Sequence, residues 1–175
     1  MTDLNSHLKE FIRDVPDFPI EGIMFRDITT LLAHPTAFRD AIDGLLSLYK
    51  DEQIDKVVVI ESRGFIFCTP MAYQLNAGVV PVRKPGKLPA ETLTEEYALE
   101  YGTNTLQIHT DAITQGERVI IVDDLLATGG TVQASIRLVE SLGGEIVGIS
   151  VLAELLDLNG RDLIQGYPVY SLVQY

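Results

Sequence analysis

The sequence predicts an α/β fold with a mainly parallel central sheet flanked by helices. Two observations carry this. Short runs that are apolar almost throughout, Lys56 to Ile60, Gly78 to Val82, Arg118 to Val122 and Ile146 to Leu152, alternate with stretches at helical spacing. Strands without a polar face are covered on both sides, as in the parallel sheets of layered α/β proteins. The segments richest in chemistry also all follow such runs: Glu61-Ser62-Arg63-Gly64, Arg83-Lys84, and Asp123 to Thr131. Open α/β sheets bind ligands beyond the carboxyl ends of their strands, so one shared site is expected there.

The elements follow in order. Residues 2–14 read as an amphipathic helix with Leu4, Leu8, Phe11 and Ile12 on one side, broken by Pro16 and Pro19. Thr36 is placed to cap a helix running to about Lys50, with Phe38, Ile42, Leu45, Leu46 and Tyr49 at helical spacing. A short helix from about Phe67 to Leu75 separates the first two apolar runs. Arg83 to Glu96 is rich in Pro, Gly and charge and reads as a mobile loop, with a strand from Leu99 to Ile108 on its far side. A helix from Thr131 to Leu142 ends at Gly143-Gly144, and Val169 to Val173 reads as a last strand.

Composition narrows the function classes. A chain of 175 residues that is 46% hydrophobic suits one domain with a sizeable core. No apolar run approaches the roughly 20 residues that span a bilayer, and the first residues lack a secretory pattern, so no membrane association is expected. The lone Cys68 cannot form an internal disulfide, which suits a cytoplasmic setting. His7, His34 and His109 show no metal-ligand spacing. A formal net charge of −12 argues against nucleic acid as a partner.

The most informative stretch is Val119 to Thr131. A buried strand leads to the adjacent carboxylates Asp123 and Asp124, then to the small turn Ala127-Thr128-Gly129-Gly130, and a helix opens near Thr131. A turn at a helix N-terminus aims backbone N–H groups and a positive dipole end at one point, which suits a phosphate. Glycines allow close approach and positive φ. The carboxylates are placed to accept hydrogen bonds from sugar hydroxyls. A Gly-Gly turn or an Asp-Asp helix cap alone would say little; the ordered combination describes a ribose 5-phosphate site. It is neither a Walker loop nor a dinucleotide fingerprint.

Other segments keep two readings each. Ser62 and Arg63 either present N–H groups and a guanidinium to a diphosphate or are surface residues after a strand. Arg83, Lys84 and Lys87 either contact pyrophosphate or are a solvated charge run. Leu88 to Glu96 has the look of a lid that would keep water from a reactive sugar cation. Glu100, beside Tyr101, is a proton-transfer residue or a strand residue on a polar face. The aromatics from Phe18 to Phe25 either stack a planar base or staple the N-terminal helix to the body.

Taken together these residues resemble the adenine phosphoribosyltransferase family, of the type I phosphoribosyltransferase fold. The resemblance covers nearly the whole chain. It rests on Phe18-Pro19, Gly22, Phe25-Arg26-Asp27-Ile28, Ser62-Arg63-Gly64-Phe65, Arg83-Lys84, Gly86-Lys87-Leu88-Pro89, Leu99-Glu100-Tyr101-Gly102 and Val122 to Thr131. Pro85 departs from the pattern at a position that is often basic. The resemblance implies one phosphoribosyltransferase domain over residues 1–175, with an N-terminal hood at about 1–35 and a flexible lid at 83–102.

It also implies the reaction: adenine plus 5-phosphoribosyl-1-pyrophosphate (PRPP) giving AMP and pyrophosphate, with Mg2+ held mainly by PRPP oxygens and water and no metal bound directly by the chain. By the same resemblance, Ala127, Thr128, Gly129, Gly130 and Thr131 bind the 5-phosphate, and Asp123 and Asp124 the ribose. Ser62, Arg63, Arg83, Lys84 and Lys87 bind pyrophosphate. Met24, Phe25, Arg26 and Leu155 bind adenine, and Glu100 and Arg63 are catalytic. Members that use 6-oxopurines place a lysine after the phosphate helix; from Leu138 to Tyr175 this chain has no lysine and one arginine, Arg161. A homodimer is expected, with weak support from apolar residues around Phe65, Phe67 and Met71. The alternative is a nucleotide-binding regulator of the same fold without catalysis.

Overall fold

The computed structural model describes residues 3–98 and 103–175. In chain order the elements are α1 (Leu4–Lys9), β1 (Arg13–Pro16), β2 (Met24–Asp27), α2 (Thr29–Ala33), α3 (Pro35–Ser47), β3 (Lys56–Ile60), α4 (Gly64–Leu75), β4 (Gly78–Val82), β5 (Thr92–Ala98), β6 (Thr103–His109), β7 (Arg118–Leu126), α5 (Gly130–Ser141), β8 (Glu145–Glu154) and β9 (Val169–Gln174). Two 3₁₀ turns, Leu156–Leu158 and Gly160–Leu163, join β8 to β9.

The described residues form a five-stranded sheet in the order β4-β3-β7-β8-β9, parallel at every pairing. Its central strand β3 is apolar from Val57 to Ile60 because both faces are buried there. Along β3, Val57 and Val59 join a core shared with α1 to α4, while Val58 and Ile60 join a second core under α5 and the β5–β6 pair. Side chains alternate across a strand, so neither face can be polar. The parallel arrangement also gathers the strand ends: Ile60 pairs with Val82, and Val59 with Val122. Glu61, Arg83 and Asp123 therefore emerge along one edge.

Several boundaries differ from the sequence expectation, each for a local reason. The first helix stops at Lys9, and Arg13–Pro16 pairs antiparallel with Met24–Asp27 as a hairpin. The apolar face was read correctly, since Leu8 and Ile12 are buried while Leu4 and Phe11 pack on the same core. The third helix is capped by His34, whose Nδ1 accepts from the Ala37 N–H at 3.2 Å, with Pro35 opening the helix; Thr36 is not the cap. α4 begins at Gly64 rather than near Phe67 and carries Pro70 inside it. Residues 83–96 are not a plain loop: Thr92–Ala98 is a strand paired with Thr103–His109, from Thr92 opposite His109 to Ala98 opposite Thr103. Tyr97, Leu106 and Ile108 anchor that pair in the second core. Phe67 and Met71 are fully buried, so they are ordinary core and lend nothing to a dimer; Phe65 packs partly against the same core.

Candidate active site

The longest uninterrupted strand content lies in β7 and β8, and β7 runs on past the expected end to Leu126. Asp123 and Asp124 therefore sit within the strand rather than beyond it. Asp123 pairs with Val151 of β8, and the two carboxyl groups lie close enough to interact. Both are buried. The Asp123 Oδ1 accepts the Asp124 N–H at 2.8 Å. Burial raises the Asp123 carboxyl well above the usual carboxylate range, and the neighbouring charge of Asp124 adds to this. Asp124 is met by the Arg63 guanidinium, with Nε 2.6 Å from its Oδ2.

After Leu126 the chain turns through Ala127-Thr128-Gly129 into α5. Gly129 has φ +85°, a left-handed conformation that side chains resist, and a Cβ there would lie 2.3 Å from the Gly160 carbonyl oxygen. Glycine at this position answers two requirements at once. Three residues of helix follow before the first intrahelical donor, Gln133 N–H to the Gly129 carbonyl at 2.9 Å, so the N–H groups between them face outward. Thr131 faces a cleft of about 460 Å³ that it shares with Ile60, Glu61, Ser62, Arg63, Asp123, Asp124 and Leu125. Ser62, Arg63, Asp123, Asp124 and Thr131, assigned from the sequence, thus meet in one concavity.

The cationic segment is also organised. Arg83 donates from Nε to Glu61 Oε2 at 2.7 Å and from a terminal nitrogen to the Lys87 carbonyl at 3.1 Å. Its backbone exchanges hydrogen bonds with Gln107 of β6. Lys84 and Lys87 sit in an exposed turn that closes through the Lys87 N–H on the Lys84 carbonyl. Glu61, which the sequence reading left without a role, is the partner that fixes Arg83. Its only signal was its place directly after a strand.

The residues assigned to the base divide between two clefts. Along β2, Phe25 faces Val15, Phe18 and Asp27 across a cleft of about 310 Å³, and its ring lies 5.6 Å from the Arg63 guanidinium carbon. Met24 and Arg26 face the other way, into a cleft of about 340 Å³ that Leu155 also lines. There the Arg26 guanidinium pairs with Asp14 and stacks on the Tyr175 ring, 4.0 Å from its centroid. Phe25 and Leu155, both assigned to adenine, line different clefts. Glu100 lies outside the described residues. Among the described residues there is no cluster of three or more His, Cys, Asp or Glu suited to a metal ion.

Comparison with known proteins agrees with this geometry. The phosphoribosyl transferase domain model matches residues 27–170. The chain is 56% identical over 167 residues to the adenine phosphoribosyltransferase of Halothermothrix orenii, covering 95% of this chain and 98% of that one. The chain belongs to the adenine phosphoribosyltransferase family. Solved structures in the family match equally fully. The enzyme from Thermoanaerobacter pseudethanolicus superimposes with a TM-score of 0.94 at 52% identity, covering 97% of this chain and 99% of that one. The Saccharomyces cerevisiae enzyme, complexed with adenine and an iminoaltritol bisphosphate, gives 0.91 at 39% identity and covers 98% and 99%.

Proposed function

We propose that this chain transfers the 5-phosphoribosyl group of PRPP to adenine, releasing AMP and pyrophosphate, a purine salvage reaction. One observation carries the chemistry: the Asp123–Asp124 pair and the N-terminal turn of α5 open into the same cleft as Ser62 and Arg63. Anchors for a sugar diol, a terminal phosphate and a diphosphate thus lie within one ligand's length.

In this reading the backbone of residues 127–131 and the Thr128 and Thr131 hydroxyls hold the 5-phosphate. Asp123 and Asp124 accept the ribose hydroxyls and fix the ring. The bond from C1 to pyrophosphate breaks, and the developing positive charge on the sugar lies near the two carboxylates. Arg63, Ser62, Arg83, Lys84 and Lys87 take up the charge that grows on the leaving diphosphate. Adenine N9 attacks C1 and gives up its proton, for which Glu100 in the lid is the candidate acceptor. Met24, Phe25, Arg26 and Leu155 bind the base, Phe25 from one face of β2 and Met24 and Arg26 from the other.

Magnesium suits the site as an ion carried in by substrate. Glu61 and Asp124 are each already paired with an arginine, so the cleft offers few uncommitted carboxylates, and diphosphate oxygens and water would supply most ligands. When bound, the ion neutralises diphosphate charge and aligns the leaving group.

Base choice follows from what surrounds Leu155. Arg161, the one cation in the last stretch of chain, donates from Nε and a terminal nitrogen to Glu154 at 2.6 and 2.7 Å and from the other terminal nitrogen to the Val169 carbonyl at 3.0 Å. With Ser171 Oγ at 3.2 Å from the terminal nitrogen that meets Glu154, four of its five N–H donors are engaged, which leaves it poorly placed to serve a 6-oxo group. A homodimer is supported by a different surface from the one expected: Ile66 and Tyr73 on α4 and Val79 on edge strand β4 are exposed beside an apolar groove lined by Phe65 and Pro81. A cytoplasmic setting rests on the lone, buried Cys68, and no described helix is long and apolar enough to cross a membrane.

The test offers PRPP and magnesium with adenine, hypoxanthine, guanine or orotate in turn and assays pyrophosphate. Adenine should exceed hypoxanthine by ~10⁴ in kcat/KM, because backbone carbonyls near Met24 to Arg26, the acceptors proposed for the 6-amino group, mispair with an oxo group. Comparable turnover on both, or AMP binding without pyrophosphate release, would refute the reading.

A further inference from the structure

The segment that leaves β8 lies flat against the turn that opens α5. Asn159 joins the two 3₁₀ turns in a left-handed conformation with φ 50°, and the next residue, Gly160, is buried. A Cβ on Gly160 would stand 2.2 Å from the Ala127 carbonyl oxygen and 3.1 Å from the Gly129 nitrogen. The converse holds from the other side, where a Cβ on Gly129 meets the Gly160 oxygen at 2.3 Å. Two backbones are in direct contact with no room for a side chain between them. Gly160 is not among the positive-φ glycines, so space rather than dihedral freedom demands it.

What presses the two together is equally specific. Upstream, the Leu155 N–H donates to the Leu126 carbonyl at 2.9 Å. Downstream, Arg161 forks onto Glu154 at 2.6 and 2.7 Å, and Ser171 donates to the same carboxylate at 2.6 Å. Glu154 is 3% exposed while the Arg161 side chain is 44% exposed, so the bidentate pair has its carboxylate withdrawn from water and its guanidinium at the surface. From α5, the Gln133 amide donates to the Leu163 carbonyl at 3.2 Å. Gly160 is thus held on both flanks against Ala127 to Gly129.

We propose that Gly160, clamped by the Glu154–Arg161 fork, is a positioning residue that sets the depth and orientation of the 127–129 backbone and so the affinity of the site for the 5-phosphate. The inference rests on the phosphate role given to that turn. A 5-phosphate is bound alike in ground and transition states, so spoiling its seat raises KM for PRPP and leaves kcat nearly unchanged. A contact that served the fold alone would lower Tm without separating the two substrates.

The test is Gly160→Ala beside the parent protein, with Arg161→Lys as a gentler second variant that keeps a cation for Glu154 but loses the fork. For Gly160→Ala, KM for PRPP should rise at least tenfold while kcat and KM for adenine stay within threefold. Affinity for AMP by calorimetry should fall by a similar factor. Arg161→Lys should shift PRPP in the same direction by threefold or more. A folded Gly160→Ala protein with PRPP KM within twofold of the parent overturns the proposal. If that variant does not fold, Arg161→Lys decides, and an unchanged PRPP KM or equal losses for both substrates overturns it. A parent that makes no AMP from adenine and PRPP refutes the functional reading instead, and the AMP-binding comparison still reads the role of Gly160.

Discussion

Replacing Asp123 by asparagine separates what the buried carboxylate costs the fold from what it does for the ligand. The side chain is 8% exposed, and its Oδ1 accepts the Asp124 N–H at 2.8 Å. An amide oxygen can keep that bond, so the strand is undisturbed. Burial, and then the charge of Asp124, raise the Asp123 carboxyl in the folded chain. The folded state therefore holds this proton more tightly than the unfolded state. The group's contribution to stability is greatest at pH below the ordinary carboxylate value, near 4, and declines as pH rises from there toward the raised value. At pH 8 the asparagine variant escapes that penalty.

Relieving an active-site strain of this kind gains ~0.5–2 kcal/mol, and for a chain of this size each kcal/mol is worth about 2–4 °C in Tm. Calorimetric scans should show Asp123→Asn melting about 1–8 °C above the parent at pH 8, with the difference shrinking at pH 5. Asp124→Asn should not share the gain, because Asp124 already has Arg63 at 2.6 Å. The ligand side moves oppositely. A charge-assisted hydrogen bond to a ribose hydroxyl is worth ~1.5–3 kcal/mol, so kcat/KM for PRPP should fall roughly 10- to 150-fold. An Asp123→Asn protein that melts below the parent at pH 8, or keeps its PRPP kinetics, refutes the argument.

Two further outcomes are expected. Glu100→Gln should slow the chemical step at least tenfold in single turnover with adenine affinity little changed, whereas full activity of Gln beside an impaired Glu100→Ala would make it a lid-positioning residue. Val79→Lys, which puts a charge on the exposed edge of β4, should shift sedimentation equilibrium from dimer to monomer; a parent that is already monomeric at working concentration removes the dimer.

The sheet was legible because its signal is crude and local. Residues such as Val57 to Ile60 must be apolar on every side if helices cover both faces, and no other element in the chain looks the same. The turn from Asp123 to Thr131 was legible because strand, acids, glycines and helix come in a fixed order. The hairpin of β1 and β2 was not, since its strands have four residues each and no fully buried side chain. Nothing in such a stretch repeats with a period long enough to detect. The strand at Thr92–Ala98 was hidden for a different reason. Leu93 and Tyr97 alternate with polar residues as a half-buried strand should, but Pro85, Gly86 and Pro89 just before them carry the stronger loop signal. Gly160 was invisible, because its role is set by a backbone contact with residues some thirty positions away.

Under the proposed assignment of the diphosphate site, a chain with net charge −12 accommodates a polyanion through where a few cations lie. Its cations are concentrated rather than numerous. Arg63, Arg83, Lys84 and Lys87 lie at the ends of β3 and β4, and the N-terminus of α5 adds positive potential on the opposite side. The two arginines do not wait in solvent: Arg63 lies on Asp124 and Arg83 on Glu61, at 2.6 and 2.7 Å. Such pairs preset the side chains, which lowers the ordering cost when a diphosphate arrives. They also mean that a ligand must offer more than the carboxylate it displaces. A diphosphate with magnesium offers several oxygens to each guanidinium, and a single inorganic phosphate offers fewer. Selection for PRPP over simpler anions can therefore arise in the acidic partners, Glu61 and Asp124, as much as in the basic residues they hold.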